Sequence, residues 1–287
     1  MSFSRDHLRA AYEDACRHEI EALKPGNVHL FADGHHMSAR QFLTSASVSS
    51  GPLTEPGLPV GRRILEAVRA TRLAVATNTN LGIILLCAPL IRAAEMPGDD
   101  LRENLGRVLD GMDIEDTASV FEAIVLASPG GLGSSDAHDG RDTPKVGLVE
   151  AMREAAGRDM IARQYATRYG DLFGIGLPAL DAAIARGESG MWPTVFAYMA
   201  FFAGFPDSHV ARIHGIEVAN HVQAEAAAVG ASLEAAGDEA ARISLLMDFD
   251  RSLKERAINP GTSADLTVAS LLVRSLRFTL HKGSVDG

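Results

Sequence analysis

Apolar residues recur at helical spacing along nearly the whole chain, and no run of alternating β-branched residues with hairpin turns interrupts them. That pattern predicts an all-α fold. Leu8, Tyr12, Ala15, Cys16, Ile20 and Leu23 form one stripe, which predicts a helix over His7–Leu23 that stops at Lys24-Pro25-Gly26. Ile64, Leu65, Val68 and Val75 predict another over Arg62–Val75. Leu81–Ala94 is apolar all round, the mark of a buried central helix. Further helices are predicted at Asp116–Leu126, Gly147–Tyr169, Pro193–Phe202, Val210–Val229, Glu239–Phe249 and Ala264–Thr279. Abundant alanine favours them. No sustained heptad points to a coiled coil. No internal repeat or composition shift marks a boundary, so a single globular domain over residues 1–287 is expected.

Charge narrows the partners. Lys plus Arg number 27 against 37 Asp plus Glu, a formal charge of −10. Nucleic acids and anionic lipids are held mainly through Lys/Arg contacts to phosphates, so neither is expected as a partner. The most apolar stretches, Leu81–Ile91 and Trp192–Phe205, fall short of the roughly 20 residues that span a bilayer. Trp192–Phe205 is expected in the core, with a homodimer face as its alternative. Met1–Glu21 lacks the apolar centre of a signal peptide. Cys16 and Cys87 lie in apolar helical patterns and read as buried thiols of a reducing compartment. A cytoplasmic location is the expectation.

Chemistry in an all-α chain collects where polar loops meet helix ends. Gly26–Gln41, Ser49–Gly61, Ser128–Lys145, Phe205–His209 and Asn259–Ser263 are such loops. In Lys24-Pro25-Gly26-Asn27-Val28-His29 the simplest role of Lys24 is a cation at the negative end of a stopped helix. The nearby Asp33, His35 and His36 favour a binding loop instead. Thr77-Asn78-Thr79-Asn80-Leu81-Gly82 precedes the apolar helix. One polar residue suffices for a cap, and four in a row would suit a phosphate or a nucleobase. In Phe205–His214, Asp207 or Ser208 caps a helix, and His209 and Arg212 share a face. His209 and His214 are five apart, the wrong spacing for a zinc pair. In Asn259–Leu266, Thr262 or Ser263 is the cap, and Asp265 sits in the first turn, where a carboxylate suits the helix dipole.

Carboxylates at two helix starts would repel a polyphosphate. Two like unit charges 4 Å apart cost about 4 kcal/mol at an effective dielectric of about 20. A Mg²⁺ ion reverses that sign, and such an ion takes one or two carboxylates plus substrate phosphates. Asp207, Asp265, Asp33 and Asp139 are the expected ligands. Gly130-Gly131-Leu132-Gly133 is no dinucleotide fingerprint, because no strand precedes it. His138-Asp139 has the pairing of HD-type metal phosphohydrolases but sits in a glycine-rich loop rather than on a helix.

Lys24-Pro25-Gly26-x-Val28, Asn78-Thr79, Asp207 with the arginine that follows, and Asn259-Pro260-Gly261-Thr262-Ser263-Ala264-Asp265-Leu266 occur in this order. Together they resemble the triphosphoribosyl-dephospho-CoA synthase family. The last segment corresponds to that family's Pro-Gly-Gly-Ser-Ala-Asp-Leu stretch. The resemblance implies an all-α enzyme that takes ATP and displaces adenine from C1 of the ribose. It joins the triphosphoribosyl group to the 2′-hydroxyl of 3′-dephospho-CoA. It further implies that Asp207 and Asp265 hold Mg²⁺ or face the sugar, and that His209 moves a proton. Lys24, Arg163 and Arg212 would meet phosphates. Asn78 and Asn80 would orient a substrate, with His29, Asn259, Thr262 and Ser263 completing the binding set. One departure stands out: Asn80-Leu81-Gly82 replaces the His-Lys-Gly of the citrate lyase branch. It suggests a divergent archaeal or methylotroph-type branch. For that branch the alternative is phosphoribosyl pyrophosphate as donor and a pterin-linked alcohol of methanopterin synthesis as acceptor. Two rival readings are a metal phosphohydrolase using His35, His36, His138 and Asp139, and a non-enzymatic helical binding protein.

Overall fold

The computed structural model describes residues 3–31, 38–127 and 144–282. Among them are fourteen α-helices and no strand, as the periodicity requires. In chain order they are α1 (Arg5–Glu21), α2 (Ala39–Leu53), α3 (Val60–Val75), α4 (Leu81–Ala94), α5 (Leu101–Asp110), α6 (Ile114–Ala127) and α7 (Leu148–Ala155). Then follow α8 (Met160–Ala166), α9 (Leu177–Ala185), α10 (Trp192–Gly204), α11 (Ser208–His214), α12 (Ile216–Ala235), α13 (Glu239–Glu255) and α14 (Gly261–Lys282). A π-helical turn, Leu172–Gly176, leads into α9.

Two single helices expected from the sequence are each two. Gly147–Tyr169 divides because Asp159 starts a fresh helix, its carboxylate accepting from the N–H groups of Ile161 and Ala162. Val210–Val229 divides at Gly215, whose φ of 89° no L side chain adopts without strain. Helices α2, α5 and α9 were not anticipated, although Leu101, Leu105, Val108 and Leu109 form a buried stripe on α5.

Contacts divide the chain into two compact units. The first comprises residues 1–14, 41–170 and 272–287, the second residues 15–40 and 171–271. In the first unit α3 packs on α6 and α4, and α4 also packs on α5 and α8. Gly61 allows the α3–α6 approach, since a Cβ there would run into the Asp116 backbone. Asp116 Oδ1 accepts from the Gly61 N–H at 2.6 Å. Helix α4 is buried on nearly every side. Its Pro89 has no N–H for the Leu85 carbonyl, and the Tyr165 hydroxyl donates there instead at 2.6 Å.

In the second unit α10 is the hub, packed by α9, α12 and the π-helical turn. Val195, Tyr198, Phe201 and Phe202 are wholly buried, so this apolar stretch is core. Cys16 and Cys87 are buried and carry no disulfide. No described helix is long and apolar enough to cross a membrane.

Candidate active site

Four stretches of the second unit meet in one polar cluster: the Lys24–His29 loop, the end of α13, the Asp207 cap of α11 and the turn opening α14. Gly26 makes the first junction. Its φ is 81°, and an added Cβ would lie 2.9 Å from Pro260 Cδ and 3.0 Å from the Ile258 carbonyl. Only glycine lets the loop lie this close to the Pro260 turn. The Gly26 N–H donates to Asp250 Oδ1 at 2.8 Å. The Asn27 amide donates to Asn259 Oδ1 at 2.8 Å, and the Tyr198 hydroxyl donates to the Pro25 carbonyl at 2.7 Å.

Lys24 is fully buried. Its ammonium donates to Asn27 Oδ1 at 2.9 Å, to the Val28 carbonyl at 2.8 Å and to the Glu19 carboxylate. An ammonium has three donors, and all three are engaged. Burial pulls Lys24 below the usual lysine range and pushes Glu19 above the usual carboxylate range; each opposes the other's shift. Lys24 was expected to meet a phosphate. Here its three donors lie on Glu19 and on the loop that carries Asn27.

His29, also expected to bind substrate, is buried beside Asp250. Its Nε2 lies 3.3 Å from Asp250 Oδ1, while Lys254 Nζ lies 3.0 Å from Asp250 Oδ2. Burial alone would raise the Asp250 carboxyl. Donors from His29, the Gly26 N–H and Lys254 reverse that and hold it below its ordinary value. Burial lowers His29, with Asp250 acting against it.

Asp207 ties two helix starts together. Oδ1 accepts from the N–H groups of His209 at 2.9 Å and Val210 at 3.2 Å. Oδ2 accepts from the Ser263 N–H and hydroxyl, each at 2.8 Å. The His209 N–H also reaches Thr262 Oγ1 at 3.2 Å. Burial raises the Asp207 carboxyl, and these four donors work to lower it. A metal ion at Asp207, the expected role, would compete with these same donors. Its lone-pair sites are filled, and a cation would have to displace a cap. Among the described residues no group of three or more His, Cys, Asp or Glu is placed to hold a metal ion. Asp33 and Asp139, with His35, His36 and His138, lie outside the described residues.

Arg212 Nη2 lies 2.8 Å from His209 Nδ1. A guanidinium only donates, so Nδ1 accepts, and the neutral ring carries its proton on Nε2. Asp265 was expected in the first turn of α14, but that helix begins at Gly261 and Asp265 stands just past its first turn; half-buried there, it lies close enough for its charge to act on Lys24.

The remaining expected residues belong to the first unit. Asn78 Oδ1 accepts from the Leu81 N–H at 3.1 Å and so serves the first N–H of α4, whose N-cap position is Asn80. Thr79 Oγ1 pairs with Ser45 Oγ at 2.6 Å, and the Asn80 amide donates to Ser49 Oγ at 3.3 Å. Three of the four polar residues that looked excessive are therefore joined to a cap or a buried polar seam. Arg163 is exposed on α8. Asp250, Lys254, Glu19 and Tyr198 were not anticipated. The i, i+4 spacing of Asp250 and Lys254 was their only signal, and it is common on solvated helices.

A helical chain whose caps and loops gather acids, cations and amides in one cluster has the makings of a group-transfer enzyme. The family profile for ATP:dephospho-CoA triphosphoribosyl transferase (CitG) matches residues 5–283, and the chain belongs to that family. It is also similar to a crystal structure from Archaeoglobus fulgidus, assigned as a triphosphoribosyl-dephospho-CoA synthase. That likeness has a TM-score of 0.64 and 26% identity over 82% of this chain and 97% of the other. No curated protein matches significantly.

Proposed function

We propose that this transferase moves the 5-triphosphoribosyl group of ATP to the 2′-hydroxyl of 3′-dephospho-CoA and releases adenine. The family match across residues 5–283 carries this reading. It favours neither a phosphohydrolase nor a binding protein. The bond from C1 of the ribose to adenine breaks, and a bond from C1 to the acceptor oxygen forms. The hydroxyl loses one proton and adenine gains one, so protons balance.

The cluster in the second unit supports this chemistry. The sugar gains positive charge as adenine leaves, and a carboxylate aimed at it would stabilise that charge. Asp265 is the acid we assign to this role, because Asp207 is wholly engaged in capping. His209 carries its proton on Nε2 and is the donor we assign to the departing base. Arg212, exposed beside it, is the phosphate contact. Asp207, Ser263, Thr262, Lys24 and Asn259 hold these groups in place. The described residues do not fit a Mg²⁺ site built on Asp207. In this reading the ion accompanies the donor's phosphates, and no step runs through it. Asn78, Asn80 and Arg163 belong to the first unit, and these steps do not draw on them.

Mass spectrometry of products tests the reading. With ATP and dephospho-CoA, free adenine should appear in step with a product heavier by one triphosphoribosyl group. Product formed only from phosphoribosyl pyrophosphate, with pyrophosphate released, would overturn it.

A further inference from the structure

Phosphates need a cation, and the cluster contains one that the sequence did not single out. The chain has four lysines and 23 arginines. Two of those lysines, Lys24 and Lys254, belong to this cluster. Lys24 is fully buried, with its three donors on protein acceptors. The Lys254 side chain keeps 18% of its surface exposed at the end of α13, and its Nζ lies 3.0 Å from Asp250 Oδ2 and 3.5 Å from His29 Nε2.

Asp250 has anchors besides Lys254. Its carboxylate is also held by the Gly26 N–H and by His29, so the ammonium is fixed relative to the loop that packs on Pro260. A lysine held this way has already lost much of the rotamer freedom that binding would cost it. Its compact point charge suits a phosphate chain. The charge of Lys254 also acts against that of Lys24, so a bound anion would relieve a repulsion already present.

We propose that Lys254 binds the phosphate chain of one of the two substrates, with Asp250 as the residue that positions it. The proposal rests on the triphosphoribosyl-transfer reading. The chain is either the triphosphate of ATP or the diphosphate of dephospho-CoA, and separate KM measurements distinguish them. Lys254→Gln should raise KM for one substrate about tenfold or more, and Lys254→Arg should restore it to within about threefold. A footprint on the wild-type protein needs no variant to fold: inorganic tripolyphosphate should slow reductive methylation of Lys254 and leave exposed Lys145 unchanged.

Three results would each overturn the proposal. They are KM values within about twofold for both substrates in Lys254→Gln, an equal loss in Lys254→Arg, or methylation of Lys254 at an unchanged rate. Should the wild-type enzyme form no triphosphoribosyl product, the reaction reading fails, and the footprint alone decides whether Lys254 binds polyphosphate.

Discussion

At the residue scale, Lys24 and His29 show how burial sets the task a charged group can perform. A lysine with all three donors engaged cannot grip a substrate without releasing a partner, and one of its partners is the buried, ion-paired Glu19. Breaking such a pair by removing one member typically costs about 3–5 kcal/mol, which fits a bracing role. His29 has a pH signature. Burial lowers its pKa in the folded state, so the unfolded chain binds a proton more readily as the pH drops below about 6.5. The stability that neutral His29 contributes is present above that pH and is lost on acidification. Asp250, held below its ordinary value, acts in the same direction at lower pH. Urea unfolding between pH 8 and pH 5 should therefore show stability falling on the acid side, by up to about 1.4 kcal/mol per pH unit from His29. His29→Gln should flatten that slope. An unchanged slope in the variant would show that His29 is not its source.

At the element scale, the decisive device is the join between α11 and α14. Asp207 satisfies two N–H groups at the start of α11 and one N–H and one hydroxyl at the start of α14. A single cap is worth about 0.5–2 kcal/mol, so Asp207→Ala, which removes two, should lower stability by about 1–4 kcal/mol. Ser263→Ala removes one of the four donors and should cost about 1 kcal/mol. Paired chemical denaturation curves check both, and equal small losses would sink the idea that Asp207 joins two helices. Caps are also why this part of the site was legible in the sequence. Asp207 stands at a helix start, where a short polar side chain leaves a mark; Thr262 and Ser263, expected as the cap of α14, lie instead inside its first turn, because that helix begins at Gly261; the apolar circumference of Leu81–Ala94 matched its helix bounds directly. Asp250 and Lys254 sit inside α13, where an acid four residues before a base matches many solvated helix faces. Their importance comes from the Gly26 loop folding onto them, which is a tertiary fact. The break at Gly215 was hidden for a related reason, since a lone glycine in a helical pattern does not announce the positive φ that ends it.

At the scale of the whole molecule, the proposed reaction asks an acidic protein of formal charge −10 to hold two polyanions. Long-range attraction cannot help, so on that proposal affinity has to come from a few local cations, with Lys254 and Arg212 the residues proposed for it. Binding of this kind weakens as salt screens the partly exposed groups. A ligand at one hundred times its dissociation constant adds about 2.7 kcal/mol to the folded state. For a chain of this size that corresponds to a rise in Tm of roughly 5 °C. ATP and dephospho-CoA should each produce such a rise in a thermal-shift series, shrinking as salt is added. Phosphoribosyl pyrophosphate should give a smaller one, because it lacks the adenine that the family's donor carries. If phosphoribosyl pyrophosphate stabilises the protein more than ATP does, and dephospho-CoA not at all, the triphosphoribosyl assignment is wrong. The fold and its cluster would then belong to an enzyme that releases pyrophosphate.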